Sequence, residues 1–425
     1  MEKTGIDIKP VESLADEPLT RALLSGLPPD TDITVRAAVH DEGSGLWASW
    51  GRYRSNGSGI IDLSEQTPSS GTISVADPSA LLWSMRPEGD NDATVGMFEK
   101  NTLDPLVIEI TAEKDGETVA GATITRSFVS RDRSVTREYV DGDGVTGTLF
   151  VPEGEGPFPV IVCLSGSGGG INEPRASLLA NHGYAAFALA YFGAGSAPRE
   201  LSEIPLEFFG RGIDWLKKHR SLDMDRLGLH GYSKGGELAL LLGLLHPEVK
   251  AVAAFSGSAY VWQGLAFRRP AGSWSLGGRS LPYIPMKVPF KSMIRLMTGR
   301  KVAFRESYER GLRAVGDPGP FAIEAEKIQG PVLLVAGTDD KVWPSADFAD
   351  AIVERLKQRD KNDGIVDIRE EGAGHLVCLP YLPSAEVCRK LVFTSSDIDR
   401  SSRAMIKAWN AMLDLFREHL VSDQE

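Results

Sequence analysis

A Gly-x-Ser-x-Gly frame, Gly231-Tyr232-Ser233-Lys234-Gly235, constrains this chain more than any other feature. It lies between an apolar run, Leu227 to His230, and a helix-forming run, Glu237 to Leu245. A strand that turns this sharply into a helix strains its backbone. Strand and helix then approach closely, so small residues are needed on both sides of the serine. The serine Oγ would project above the sheet. The pentapeptide alone is a weak signal, because a plain strand-to-helix turn can carry it by chance. The rest of the chain must supply the partners.

A serine hydroxyl is a poor nucleophile until a base takes its proton, and an acid must orient that base. Pro331 to Ala336 reads as a buried parallel strand and runs into Gly337-Thr338-Asp339-Asp340-Lys341-Val342-Trp343-Pro344. A helix pattern over Ser345 to Gln358 and a strand over Ile365 to Ile368 follow, then Gly372-Ala373-Gly374-His375. Serine, acid and histidine in this order, each after its own strand, is the layout of an α/β-hydrolase. Either Asp339 or Asp340 could be the acid. His40 lies in the amino-terminal region, and His182, His219, His246 and His419 lie near or at helix ends. His230 falls in the strand before Ser233, as a satisfied core histidine would. Only His375 has the order and the loop context of a base.

The fourth requirement is a pair of donors for the oxyanion. The strand Val160 to Leu164 leads into Ser165-Gly166-Ser167-Gly168-Gly169-Gly170. In this fold one donor is the backbone N–H after the nucleophile, here Lys234, and another comes from the loop after an earlier strand. Ser167 or Gly168 would supply the second, since glycines let the backbone come close. The loop lacks the Gly-Lys-Ser/Thr ending of a phosphate-binding loop.

The same segments resemble the acyl-CoA thioesterases and bile acid-CoA:amino acid N-acyltransferases. The resemblance runs through GSGGGINEPRASLLANHGYAAFALAYF (Gly166 to Phe192), GYSKGGE (Gly231 to Glu237), GTDDKVW (Gly337 to Trp343) and GAGHLVCLPY (Gly372 to Tyr381). It extends to Gly26–Tyr53 and Ser79–Gly89, which look like that family's amino-terminal β-sandwich. It implies a triad of Ser233, Asp340 and His375, leaving Asp339 as a turn-former. Transferases of this family use a nucleophilic cysteine, whereas thioesterases use serine or sometimes cysteine, so Ser233 points to hydrolysis. The loop after Phe192 and Leu379 depart from the animal enzymes, which bears on the acyl group rather than the reaction.

Length and composition agree with such an enzyme. A chain of 425 residues with 42% hydrophobic content suggests two or three domains with substantial cores. A formal net charge of −12 argues against non-specific nucleic-acid binding and against an anionic membrane surface. Cys163, Cys378 and Cys388 are too few and scattered for a disulfide framework or a zinc site, as a reducing, cytoplasmic setting predicts. No apolar run reaches the roughly 20 residues of a spanning helix. The start, MEKTGIDIKPVESLADEP, has no signal-peptide pattern, and VSDQE is not a peroxisomal ending. No metal or redox cofactor is implied.

Short alternating stretches over residues 1–130, such as Asp32 to Val39 and Leu106 to Thr111, predict an all-β, immunoglobulin-like sandwich. Trp47, Trp50 and Trp83 are expected in its packing. From residue 131 to 425 a hairpin-like segment, Ser134 to Val151, leads into strands alternating with helices, the pattern of an α/β-hydrolase catalytic domain. The closing helix, Ser401 to Leu420, should bury Met405, Trp409, Met412, Phe416 and Leu420.

One segment departs from the global charge. Ala259 to Arg305 holds nine Lys or Arg residues and no acid, among them Arg268, Arg269, Lys287 and Lys291. It follows the strand Val249 to Phe255, where this fold commonly inserts a lid. Its cations either form a solvated surface or meet the phosphates of coenzyme A. The expectation is a serine hydrolase acting on acyl-CoA thioesters through an acyl-enzyme. Its rivals are acyl transfer to glycine or taurine, a carboxylester or lactone hydrolase, and a silent binding protein.

Overall fold

The computed structural model describes residues 4–88, 97–132, 134–266, 270–358, 364–384, 387–388, 391–395 and 398–421 of the chain. Contacts divide it into two units, Met1–Ser130 with Cys378–Arg389 and Arg131–Val377 with Lys390–Glu425.

Among its described residues the first unit is all β apart from one helical turn, Ala80–Trp83. In its larger sheet Asp32–His40 pairs antiparallel with Leu46–Arg54 on one side and Leu106–Lys114 on the other. Glu117–Ser127 continues that sheet. A smaller sheet joins Gly5–Lys9, Arg21–Ser25 and Ile61–Asp62. The period of two does the sorting: Ile33, Val35 and Ala37 are buried while Asp32, Thr34 and Arg36 are not. Trp47 and Trp83 are buried as expected, and Trp47 meets Phe98 edge-on at 5.5 Å. Trp50 is not. It falls on the opposite parity from Trp47 and Tyr53, and strand alternation turns it to the outer face, 39% exposed.

The second unit is built on eight strands: β1 (Val135–Gly142), β2 (Val145–Pro152), β3 (Phe158–Leu164), β4 (Ala185–Leu189), β5 (Leu222–Tyr232), β6 (Val249–Phe255), β7 (Val332–Gly337) and β8 (Ile365–Glu370). Their spatial order is 1-2-4-3-5-6-7-8. The β1–β2 hairpin turns at Asp143-Gly144, both with positive φ, and its strands and β2–β4 pair antiparallel. All other neighbours are parallel. Buried on both faces, β3, β4 and β7 are nearly continuous apolar runs.

Among the described residues seven α-helices accompany the sheet: α1 (Glu173–Asn181), α2 (Glu207–Leu216), α3 (Lys234–Leu245), α4 (Phe290–Met297), α5 (Arg305–Val315), α6 (Ser345–Lys357) and α7 (Ile398–Leu420). The stripe Met405, Trp409, Met412, Phe416 and Leu420 of α7 is buried. It lies so close to β5 that a Cβ at Gly228 would sit 2.8 Å from Phe416 and Leu420. On the opposite face of β5, Gly231 meets α3. Among the described residues no helix is long and apolar enough to cross a membrane.

The segment 259–305 is not a detached excursion. Trp262 and Trp274 are fully buried, and the Trp262 ring packs on Tyr308 at 4.7 Å and Phe348 at 5.8 Å. The strand Trp274–Leu276 pairs in parallel with Ile204–Pro205. Among its described residues, the turn at 276–280 and the portion around α4 are broadly exposed. Trp262→Ala should therefore cost about 3–5 kcal/mol, the range for truncating a buried aromatic. A urea midpoint shift equivalent to less than about 0.5 kcal/mol, typical of surface sites, would contradict a core role.

Candidate active site

Ser233 sits between β5 and α3 with φ 55° and ψ −123°, a conformation that L-residues rarely adopt. Its neighbours explain how it is held there. A Cβ on Gly231 would lie 2.0 Å from the Gly235 carbonyl oxygen, and one on Gly235 would lie 2.4 Å from the carbonyls of Leu164 and Ser165. Only glycine fits at either place. The Ser233 N–H donates to the Phe255 carbonyl at 2.8 Å, tying the turn to the end of β6.

Asp340 is fully buried after β7. Its Oδ1 accepts the N–H groups of Val342 (2.9 Å) and Trp343 (3.2 Å). Its Oδ2 accepts the Ser345 hydroxyl at 2.6 Å and faces His375 Nδ1 at 2.7 Å. Asp339 does different work. It accepts the Thr394 hydroxyl and the Ser395 N–H, both at 2.7 Å, and pairs with Lys341 at 2.5 Å. The two carboxylates are thus separated by partners, and Asp340 alone reaches the imidazole. The acid and histidine loops can approach because position 337 is glycine: a Cβ there would lie 2.2 Å from the carbonyls of Ala373 and Gly374.

Ser256 escaped the sequence reading. It has φ 41°, and its hydroxyl accepts the Leu376 N–H at 2.9 Å while its carbonyl accepts the Trp343 indole N–H at 3.0 Å. Consecutive residues at the end of β6 therefore hold Ser233 through Phe255 and the acid and histidine loops through Ser256. Arg175 of α1 was also missed. Buried, it donates to the Val377 carbonyl at 2.8 Å, lies 3.2 Å from His230 Nε2 and stacks over Tyr232. His230 is a satisfied core histidine, with Nδ1 3.2 Å from the Ala253 carbonyl. Burial holds it well below the ordinary imidazole range, so it stays neutral.

The Gly-rich loop turns at Ser167-Gly168, closed by the Gly169 N–H on the Gly166 carbonyl at 3.1 Å. Gly170 donates to Phe192, and the Tyr191 hydroxyl clamps the carbonyls of Ser165 and Gly166. The Ser167 and Gly168 amides have no partner among the described residues. The Lys234 amide is one of the orphan donors at the start of α3. Gly166 borders the serine, since a Cβ there would lie 3.2 Å from Ser233 Cβ.

The Lys234 side chain forms a second cluster. It is buried, with Nζ 3.0 and 2.9 Å from the two Glu237 oxygens and 2.7 Å from the Ser273 hydroxyl. Glu237, also buried, accepts the Trp274 indole N–H at 2.7 Å and the Trp262 amide at 3.3 Å. Burial pushes the carboxyl up and the amine down, and each charge opposes the shift of the other. Lys and Glu three apart at the head of an otherwise apolar helix were the available signal.

The remaining expected positions lie apart. Arg268 and Arg269 fall outside the described residues. Lys287 is exposed, and Lys291 pairs with Glu306 at 2.9 Å. Cys163 is buried, its thiol pushed up to about 12 by burial, and so is not nucleophilic at neutral pH. An apolar cavity of about 170 Å³ is lined by Leu241, Leu244 and Leu245 of α3 with Val261 and Phe321. It begins eight residues, about 12 Å, along the helix from Ser233, away from the triad positions.

The family model for the BAAT / Acyl-CoA thioester hydrolase C terminal matches residues 204–422. That for the Acyl-CoA thioester hydrolase/BAAT N-terminal region matches residues 16–141. The chain is 30% identical to the peroxisomal succinyl-coenzyme A thioesterase of Mus musculus, over 96% of this chain and 94% of that relative. It is also 30% identical to acyl-coenzyme A amino acid N-acyltransferase 2 of Rattus norvegicus, over 97% of each. With acyl-coenzyme A thioesterase 1 of Homo sapiens it shares 29% identity over 95% and 94%. A solved esterase structure from Pyrococcus furiosus superposes on 68% of this chain and 91% of that chain, at 14% identity and TM-score 0.41.

The buried ion pair makes a testable demand. Lys234→Met should destabilise the protein by about 3–5 kcal/mol, because Glu237 is left charged and unpaired. Lys234→Met with Glu237→Leu should recover much of that loss. Urea unfolding of both variants checks it, and a double variant no better than the single would refute the account.

Proposed function

The chain belongs to the acyl-CoA thioester hydrolase and bile acid-CoA:amino acid N-acyltransferase family, and on that premise we propose that it hydrolyses acyl-CoA thioesters to free acid and coenzyme A. Catalysis is assigned to residues 131–425, preceded by an amino-terminal β domain over 1–130. The observation that carries the reading is the 2.7 Å contact between His375 Nδ1 and the buried Asp340 carboxylate. It fixes the tautomer that leaves Nε2 open as the base.

Ser233 Oγ attacks the thioester carbonyl as His375 Nε2 takes its proton. The oxyanion that forms is met by the Lys234 amide at the head of α3 and by the Ser167 or Gly168 amide, donors oriented before the charge develops. The tetrahedral species collapses with cleavage of the carbon–sulfur bond, and the imidazolium returns its proton to the leaving thiolate. His375 then takes a proton from water, the hydroxide attacks the acyl-Ser233 ester, and the carboxylic acid leaves as Ser233 is reprotonated. Asp340, held by two backbone N–H groups and Ser345, stabilises the imidazolium in both halves. A hydroxyl at the nucleophile favours water as acceptor over an amine. A reducing, cytoplasmic setting is proposed with it, one with which the free thiol of Cys163 is compatible.

Two experiments test this. Ser233→Ala should abolish turnover, and Asp340→Asn should lower kcat by about 10⁴-fold through the wrong tautomer. Asp339→Asn should be mild, and the reverse pattern would move the acid to Asp339. Mass spectrometry of products formed from acyl-CoA with excess glycine or taurine should show free acid as the main product. A dominant N-acyl conjugate would overturn the hydrolase reading.

A further inference from the structure

Helix α4 presents its apolar side to solvent. With 100° between successive residues, Phe290, Met293, Ile294, Leu296 and Met297 span an arc of about 160°. An arc of that width ordinarily faces a protein core. Here all five are exposed, Phe290 at 77% and Met297 at 83%, and Ser292 is the helix's buried residue. These side chains carry no hydrogen-bonding group, so their complement is hydrocarbon.

Within the segment that carries that arc, the charge is of one sign. Lys287, Lys291, Arg295, Arg300 and Lys301 fall within residues 287–301, which contain no acid. Glu306 pairs with Lys291, while Arg295 Nε donates to the Lys301 carbonyl, a contact that leaves its charge uncancelled. Exposed hydrocarbon beside exposed cations matches the two layers of an acidic lipid leaflet: acyl chains below, phosphates above. A self-complementary contact between two copies would instead bring two cationic rims together.

We propose that α4 and its flanking cations form a docking surface for an anionic lipid bilayer, with Phe290, Met293, Ile294, Leu296 and Met297 inserted among the acyl chains and Lys287, Arg295 and Arg300 at the phosphates. The net charge of −12 opposes generalised adsorption to such a membrane, so attachment is confined to this face. Docking does not depend on the thioesterase reading, because it requires no turnover.

The full chain is sedimented with sucrose-loaded vesicles of phosphatidylcholine, alone or mixed with phosphatidylglycerol. The expected result is binding to the mixed vesicles only, weakening as salt rises over the range where screening sets in. Phe290→Ser with Met297→Ser, and separately Lys287→Glu with Arg300→Glu, should each lower the partition coefficient at least tenfold. Both pairs are exposed, and an unchanged urea unfolding midpoint confirms an intact fold. No binding by the wild type to mixed vesicles, or unchanged binding by both variants, overturns the proposal. So does a wild-type dimer in light scattering that Phe290→Ser/Met297→Ser dissociates, since the face would then belong to a second copy.

Discussion

The second unit is organised around a backbone that cannot relax. Ser233 has a φ that costs on the order of 1–3 kcal/mol, and it persists because the surroundings leave no alternative. Gly231 and Gly235 bring carbonyls to within a distance that any Cβ would violate, while Phe255 fixes the Ser233 amide. The strain is met by the packed sheet behind it, where β5 is pressed against α7 through Gly228. The candidate nucleophile is thus positioned by the whole parallel sheet rather than by its own loop.

Much of this was legible because the constraints are local. A glycine on each side of a serine, an Asp pair after an apolar run and a histidine in a Gly-rich loop are short-range patterns with one inexpensive backbone solution. The strand alternation from Asp32 and the stripe of the last helix are periodic in the same way. What stayed hidden depends on distant pairs. Ser256 bridges the histidine and acid loops through residues about a hundred positions away, and nothing near it in sequence announces that. Arg175 reaches Val377 across the fold, and its burial is visible only once α1 and the histidine loop are side by side. Trp50 shows a different failure: residue type suggested burial, and strand parity overruled it.

Net charge was a coarser guide than the distribution of charge. A total of −12 describes the average surface, yet every charged residue in 287–301 is basic. The segment after β6 likewise divides into two regimes. Its first part is core, sealed by indoles and a carboxylate, and its outer helix carries the most exposed hydrocarbon described in the unit. Reading the whole segment as one lid would merge parts with opposite physics.

Glu237 has a consequence for recombination. One carboxylate on the helix that follows Ser233 receives Trp262 and Trp274 from the downstream segment and neutralises Lys234, which in turn holds Ser273. These contacts make the segment and the helix a single inheritable module. A chimera that imported another protein's loop between β6 and α5 without equivalents of the two donors, Trp262 and Trp274, and of the Ser273 acceptor would leave a dry ion pair with fewer partners beside the Ser233 turn. Sequence is therefore most freely exchanged beyond Leu276, where a substitution leaves that junction intact.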